Sequence, residues 1–227
     1  MLKRIVGRIG QAAGFSGRPH LSPLRRKFTG SSDYWVRRYR KGRNSGGGSY
    51  GRLAEFKAQV LNDLVREHRI QTVIEFGCGD GNQLALANYL EYLGFDISRE
   101  ALDLCRARFA GDSSRQFRHQ HEYRGEQAQL ALSLDVLYHL VEDDVFETYM
   151  RRLFAAAAEH VVIYSSNTNE NRPGQGEHVR HRRFTDWIGE HLNGWTLTRH
   201  LPNKFPFRGD DREGSFADFY FYARTDD

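Results

Sequence analysis

The chain has 227 residues, 39% of them apolar, and a formal net charge of +4, which fits one ordinary domain with a terminal arm and leaves two full domains cramped. No apolar run approaches the roughly 20 residues a membrane-spanning helix requires, which argues against a transmembrane protein. The two cysteines, Cys78 and Cys105, resemble neither a disulfide framework nor a zinc-binding pair.

The charge is unevenly placed. Residues 1–50 hold twelve Lys and Arg against the single acid Asp33, a balance of about +11 that leaves the remainder about −7. Such polarity attracts an anionic membrane surface, a phosphorylated carrier or nucleic acid, and it is equally the pattern of a solvated basic tail. Within the arm, Leu2, Ile5, Val6, Ile9, Ala12 and Ala13 recur at helical spacing with Lys3, Arg4 and Arg8 between them, which predicts a short amphipathic helix over Met1 to Ala13. A helix of this kind lies in a membrane interface, docks on a partner or packs back on its own domain. The segment has neither a long apolar core nor a cleavage site of small residues, so the expected location is the cytoplasm, with peripheral attachment to the inner membrane face through the arm.

Ser16 to Gly30 reads as an irregular linker, Asp33 to Lys41 as a helix carrying Tyr34, Trp35 and Tyr39, and Asn44 to Ser49 as a flexible loop. These set the organisation as a basic arm with amphipathic helix and linker over 1–49 and a folded domain over 50–227. Arg52 to His68 has an apolar stripe at Leu53, Phe56, Val60, Leu61, Leu64 and Val65. Beyond it, strands predicted near Thr72–Phe76, Tyr92–Asp96, Gln116–Gln120, Leu130–Leu134, Val161–Ser165, Thr196–Leu201 and Phe216–Tyr222 alternate with helices near Asn82–Ala87, Arg99–Phe109, Val145–Ala157 and Phe184–His191. That alternation is the signature of an α/β fold.

The strongest signal is Thr72-Val-Ile-Glu-Phe-Gly-Cys-Gly-Asp-Gly-Asn-Gln83, a buried strand running into a glycine-rich turn. A nicotinamide fingerprint would need glycine at position 82, which is Asn. The spacing Glu-x-Gly-x-Gly-x-Gly instead resembles motif I of the class I S-adenosylmethionine-dependent methyltransferases, a resemblance that runs from about Tyr50 to Arg224. It implies a Rossmann-like, seven-stranded, mostly parallel sheet with helices on both faces and an antiparallel last strand. It also implies S-adenosylmethionine as cofactor, with Gly77, Gly79 and Gly81 around its methionine part, Glu75 orienting the turn or meeting the ammonium, and Asp96 accepting from the ribose hydroxyls. A carboxylate suits that last task because it only accepts hydrogen bonds when ionised; without the glycine turn before it, Asp96 would read as a helix cap.

Leu130-Ala-Leu-Ser-Leu-Asp-Val-Leu-Tyr-His-Leu140 is similar to the family's fourth strand and the loop facing the transferable methyl. Asp135 is a candidate contact to cofactor or acceptor, or a simple turn residue, and Tyr138 and His139 line the expected cleft. His121, Glu122 and Tyr123 match the adenine position loosely. Ser49-Tyr-Gly-Arg-Leu-Ala-Glu-Phe-Lys57, the Tyr138-His139 pair and His178-Val-Arg-His-Arg-Arg-Phe184 resemble bacterial methyltransferases that occur with surface-glycan enzymes. Tyr50 and Arg52 would close over the pocket, the arginine offering a forked donor to the cofactor carboxylate, or else standing in solvent.

Positioning is the main catalytic device for methyl transfer. A hydroxyl acceptor benefits from a base near neutral pKa, for which His139 and His181 are the candidates; the plain alternatives are a packed histidine and an exposed loop residue. His178 and His181 have no Cys or carboxylate partner at ligand spacing, so no metal site is expected. The expected function is O-methylation of a small molecule or glycan. RNA ribose methylation and a non-catalytic cofactor-binding interaction module are the alternatives; Ser133-Leu-Asp-Val136 offers no Asn-Pro-Pro-Tyr-like motif, which argues against methylation of a base nitrogen but not of ribose, and nucleic acid is the less favoured partner.

Overall fold

The computed structural model describes residues 28–225, so the expected amphipathic helix at Met1 to Ala13 lies outside the described residues. Seven strands, β1 (Thr72–Phe76), β2 (Glu91–Asp96), β3 (Arg115–His119), β4 (Ala128–Leu134), β5 (Ala157–Ser165), β6 (Trp195–Leu201) and β7 (Asp218–Arg224), form one sheet in the order β3-β2-β1-β4-β5-β7-β6. β1 to β5 pair in parallel, and β7 inserts antiparallel between β5 and β6. This is the Rossmann-like α/β sheet expected.

Side chains alternate across the sheet, as strand geometry requires. Val73, Leu130, Leu132 and Val162 face one core with Leu61 and Leu64 of α2 (Gly51–Glu67) and Leu102 of α3 (Arg99–Arg108). Ile74, Ala131, Val161 and Ile163 face the other with Phe146 and Leu153 of α4 (Asp143–Ala155) and Ile188 of α5 (Phe184–His191). Both faces are thereby covered, which is what confines a ligand to the strand ends.

Two segments differ from expectation. Asn82 to Ala87 forms a single tight turn, Leu84–Leu86, rather than a helix. Asn62 of α2 donates to Leu86 O (3.0 Å) and accepts from Asn88 N (2.8 Å), so the segment is drawn along α2 instead of coiling. The helix α1 (Ser31–Arg40) starts two residues before the expected one and lies against the domain, its first turn tied to Glu142 through Ser31 N (2.9 Å) and Oγ (2.6 Å).

Candidate active site

β1 ends at Phe76, and the chain turns through Gly77, Gly79 and Gly81 with φ of 88°, 59° and 72°. Side chains rarely adopt these angles. The turn is fastened to the end of β2, because Gly77 N and Cys78 N donate to Phe95 O (2.7 and 3.1 Å) and Gly79 N donates to Asp96 Oδ2 (2.9 Å). Asp96 Oδ1 accepts from Ser98 N (2.8 Å), and it is Ser98, not Asp96, that caps α3 through Ala101 N. The carboxylate is therefore directed at the glycine turn and lines the cavity beyond it. Gly77 and Gly79 line the cavity beyond the turn; Gly81 instead faces α3, where a Cβ would sit 2.9 Å from Phe109 and 3.0 Å from Cys105 Sγ.

The cavity is walled by Lys57, Glu75, Gln83, Asp96 and Asp135 as well as the glycines, a set of polar groups converging at the strand ends as a cofactor site requires. Beyond Gly77 and Ile97 it opens into a groove lined by His119, Gln120 and His121. Of the loosely matched adenine residues only His121 lies there, since Tyr123 packs on Phe76 and Phe95.

Burial pushes the Glu75 carboxyl up to about 7, against the lowering by the Tyr92 hydroxyl, which donates to Oε2 at 2.6 Å, and by Lys57. Burial likewise raises Asp96 to about 6, opposed by its backbone donors. A carboxyl whose pKa is higher in the fold than in the unfolded chain favours the fold below the unfolded value and loses that contribution as pH rises through the folded one. For Glu75 that window runs from 4.5 to about 7. Glu75→Gln should accordingly gain stability relative to wild type as pH rises through this window, approaching ~3 kcal/mol above it by linkage. Denaturant melts of both proteins at pH 5 and 8 measure this; an unchanged difference between the two pH values would refute it.

A strap formed by α1 and the loop to Ser49 closes one side of the cavity. Tyr39 is buried with its hydroxyl 2.8 Å from Ser45 Oγ; Ser45 Oγ accepts from Asp80 N (3.1 Å), and Ser45 N donates to Asp80 Oδ2 (3.0 Å). Tyr50 donates to the same Asp80 oxygen at 2.8 Å. Tyr50 thus anchors the strap rather than lining the cavity. The site draws on residues on both sides of the expected 49/50 boundary. Trp35, Tyr39 and Ser45 of the strap were missed as site residues by sequence reasoning because only the fold brings them here.

Arg52 does not reach the cavity. It is exposed, stacks 4.6 Å over Phe205, and pairs with Glu213 at 2.9 Å while also donating to the Glu213 carbonyl. One helix face away, Lys57 is 1% exposed, with Nζ 2.6 Å from Asp135 Oδ2 and 5.1 Å above the Tyr164 ring. Asp135 has φ 60°, unusual for a non-glycine residue, and its Oδ1 accepts from Tyr138 at 2.8 Å. Strained backbone of this kind clusters at functional sites.

Asp135 and His139 lie in the wall between the cofactor cavity and a second, aromatic cleft that includes Tyr34, Tyr138, His178, Phe207 and Phe216. His139 Nδ1 contacts His178 O at 2.9 Å. A carbonyl only accepts, so Nδ1 carries the proton and Nε2 keeps its lone pair. Burial lowers the His139 pKa to about 4, below the near-neutral value expected of a base; the ring is neutral, and it takes a proton only from a group as acidic as a hydroxyl becomes while its oxygen is being alkylated. His181 lies outside the cofactor cavity: its Nδ1 is 2.6 Å from Ser166 Oγ, its ring stands 4.9 Å from Phe216 and 6.3 Å from Tyr138 behind the aromatic cleft, and it lines a surface depression with Arg180 and Arg182, its backbone N–H and carbonyl both bonded by Asn171. Of the two candidate bases, His139 is the one in the cavity wall.

A sheet of this order, with the glycine turn after β1 and the paired acid at the end of β2, defines a class I S-adenosylmethionine-dependent methyltransferase. A family model described as a methyltransferase domain matches residues 42–205, and the chain belongs to that family. No curated protein matches it by sequence. In fold it is similar to magnesium protoporphyrin IX methyltransferase from Synechocystis PCC 6803 with bound SAH (TM-score 0.61, 17% identity, 86% of this chain and 98% of that one). It is also similar to the methyltransferase domain of bacterial CtHen1-C (TM-score 0.58, 18% identity, 75% and 97%). The N-methyltransferase NodS from Bradyrhizobium japonicum WM9 is comparable (TM-score 0.58, 16% identity, 77% and 98%). S-adenosylmethionine is the cofactor of this family, and the residues fit it: an acceptor-only carboxylate at the end of β2, a turn without Cβ atoms, and a buried amide oxygen, Gln83 Oε1, without a hydrogen-bond partner among the described residues.

Proposed function

We propose that the chain transfers a methyl group to a hydroxyl of a small molecule or glycan seated in the aromatic cleft. The observation that carries this reading is the position of His139, a neutral imidazole with a fixed tautomer in the wall shared by cofactor cavity and cleft. The cofactor supplies an electrophilic sulfonium methyl. In this reading the cleft would hold the acceptor hydroxyl in line with that methyl, and His139 Nε2 would take the hydroxyl proton as the oxygen is methylated and release it to solvent, S-adenosylhomocysteine leaving as the demethylated product. The protein's part is alignment and proton acceptance.

The cleft supports a neutral acceptor over RNA. Arg38 is the only Lys or Arg among its lining residues, against the acids Asp135 and Asp211, whereas a nucleic-acid groove neutralises phosphates with several cations. The fold neighbours act on varied acceptors and do not choose between them. The basic arm, largely outside the described residues, would bring the body to an anionic membrane surface or a phosphorylated carrier on the cytoplasmic side; no helix of the described residues is long and apolar enough to cross a membrane. Binding to such surfaces should weaken with added salt.

The test is a methyl-transfer screen over sugars, phenols and RNA with wild type and His139→Ala. The expected result is turnover on a hydroxyl acceptor that falls about 100-fold or more in the variant, the usual contribution of a positioned base, with cofactor affinity retained. Turnover confined to RNA, or an unchanged rate in the variant, would sink this reading.

A further inference from the structure

We propose that Lys57 and Gln83 form the subsite for the α-amino-acid end of the cofactor, Lys57 receiving its carboxylate and Gln83 Oε1 its ammonium, with Asp135 as a positioning residue for Lys57. A buried ammonium has three donors, and among the described residues Lys57 makes one hydrogen bond, to Asp135. Its remaining N–H groups sit on the cavity wall beside Glu75. Gln83 stands next to it: its Nε2 donates to Ala54 O at 3.1 Å, one helical turn before Lys57 on α2, while Oε1 is buried without a partner. A donor with unused hydrogens and an acceptor with an unused oxygen on one wall are complementary to a zwitterion.

Energetics support the assignment. A buried ion pair contributes little net stability compared with apolar residues of the same volume, and Lys57 occupies the centre of the apolar face of α2, between Leu53 and Leu61. An unpartnered buried amide oxygen also costs stability. Both features are explained when a ligand completes them. Asp135, fixed by the Tyr138 hydroxyl, keeps the ammonium at the wall.

The test is calorimetric titration with two probes, S-adenosylhomocysteine and 5′-methylthioadenosine, which share the adenosine thioether but differ in the amino-acid end. Lys57→Met and Gln83→Met should each weaken the first probe about tenfold or more, the scale of a hydrogen bond to a charged group, and change the second less than about twofold by the same reasoning. Arg52→Ala should alter neither. Because Lys57→Met leaves Asp135 unpaired, Lys57→Met/Asp135→Asn serves as a second variant with no orphaned charge and should show the same selective loss. Unchanged homocysteine affinity in the double variant, or equal loss of both probes, would overturn the proposal. A folded wild type that binds neither probe would overturn the cofactor reading beneath it, a result distinguishable from either of those.

Discussion

Asp96→Ala is expected to lower S-adenosylhomocysteine affinity at least about 100-fold. The carboxylate accepts from Gly79 N at 2.9 Å and Ser98 N at 2.8 Å, and it is buried. Removing it orphans two backbone donors, each costing ~1–3 kcal/mol, and loosens the turn that faces the ligand. It also removes the acceptor for the ribose hydroxyls, and hydrogen bonds to a charged group are worth ~1.5–3 kcal/mol each. Asp96→Asn separates the two effects in part. Its amide oxygen can accept from only one of Gly79 N and Ser98 N, and its NH2 then faces the other donor, so it should keep some of the stability that the Ala variant loses while affinity falls. Titration of wild type adds a pH signature. Burial places the Asp96 pKa at about 6, and ribose hydroxyls favour the ionised form, so affinity should decline as pH drops through that value; the Asn variant should be flat. Binding by Asp96→Ala within a few-fold of wild type, measured by calorimetry, would remove Asp96 from the site.

The parts of the site legible in the sequence are those whose chemistry is local. The glycine turn and Glu75 are contiguous, and Asp96 ends the strand beside them, so the family resemblance that implies the cofactor can be read from one short stretch. Parts assembled by the fold were not legible. Tyr39 and Ser45 precede the domain by composition and look like arm and loop, yet they close the cavity because Asp80 draws the strap inward. From the sequence alone Arg52 is open between a pocket donor and a residue in solvent, and Lys57 is not singled out; helix geometry separates the two. Arg52 lies outside the apolar stripe, whereas Lys57 is four residues from both Leu53 and Leu61 and so belongs to its buried face. A charge within an apolar stripe was the available signal, since such a residue must meet a partner inside. His139 and His181 were indistinguishable in sequence because only tertiary packing decides which imidazole reaches the cavity. The seven strands and the antiparallel last one came from the family resemblance, and the order β3-β2-β1-β4-β5-β7-β6 from the structure; neither could have come from periodicity, which fixes element type but not neighbours.

Gly79→Val should abolish detectable cofactor binding and also lower the melting temperature. Gly79 has φ 59°, where a side chain costs ~1–2 kcal/mol and a β-branched one more. The added Cβ would collide with Ser45 Oγ and stand 3.0 Å from the Tyr39 hydroxyl. The collision is with the strap itself, so either the strap lifts, breaking the Ser45 to Asp80 bonds, or the turn rotates and releases the Gly79 N to Asp96 bond. Each route deforms the cavity wall, and the two can be told apart. A lifted strap predicts that Trp35, packed at 4.8 Å on His139, changes its fluorescence, whereas a rotated turn leaves that signal intact and removes binding alone. Gly79→Ala carries the same backbone strain with less bulk and should fall between wild type and Val in both affinity and stability. Were the Val variant to bind S-adenosylhomocysteine like wild type, the glycine turn would not be the cofactor's contact surface, because the strained Gly79 backbone and the Ser45 and Tyr39 side chains it would push aside all line the cavity.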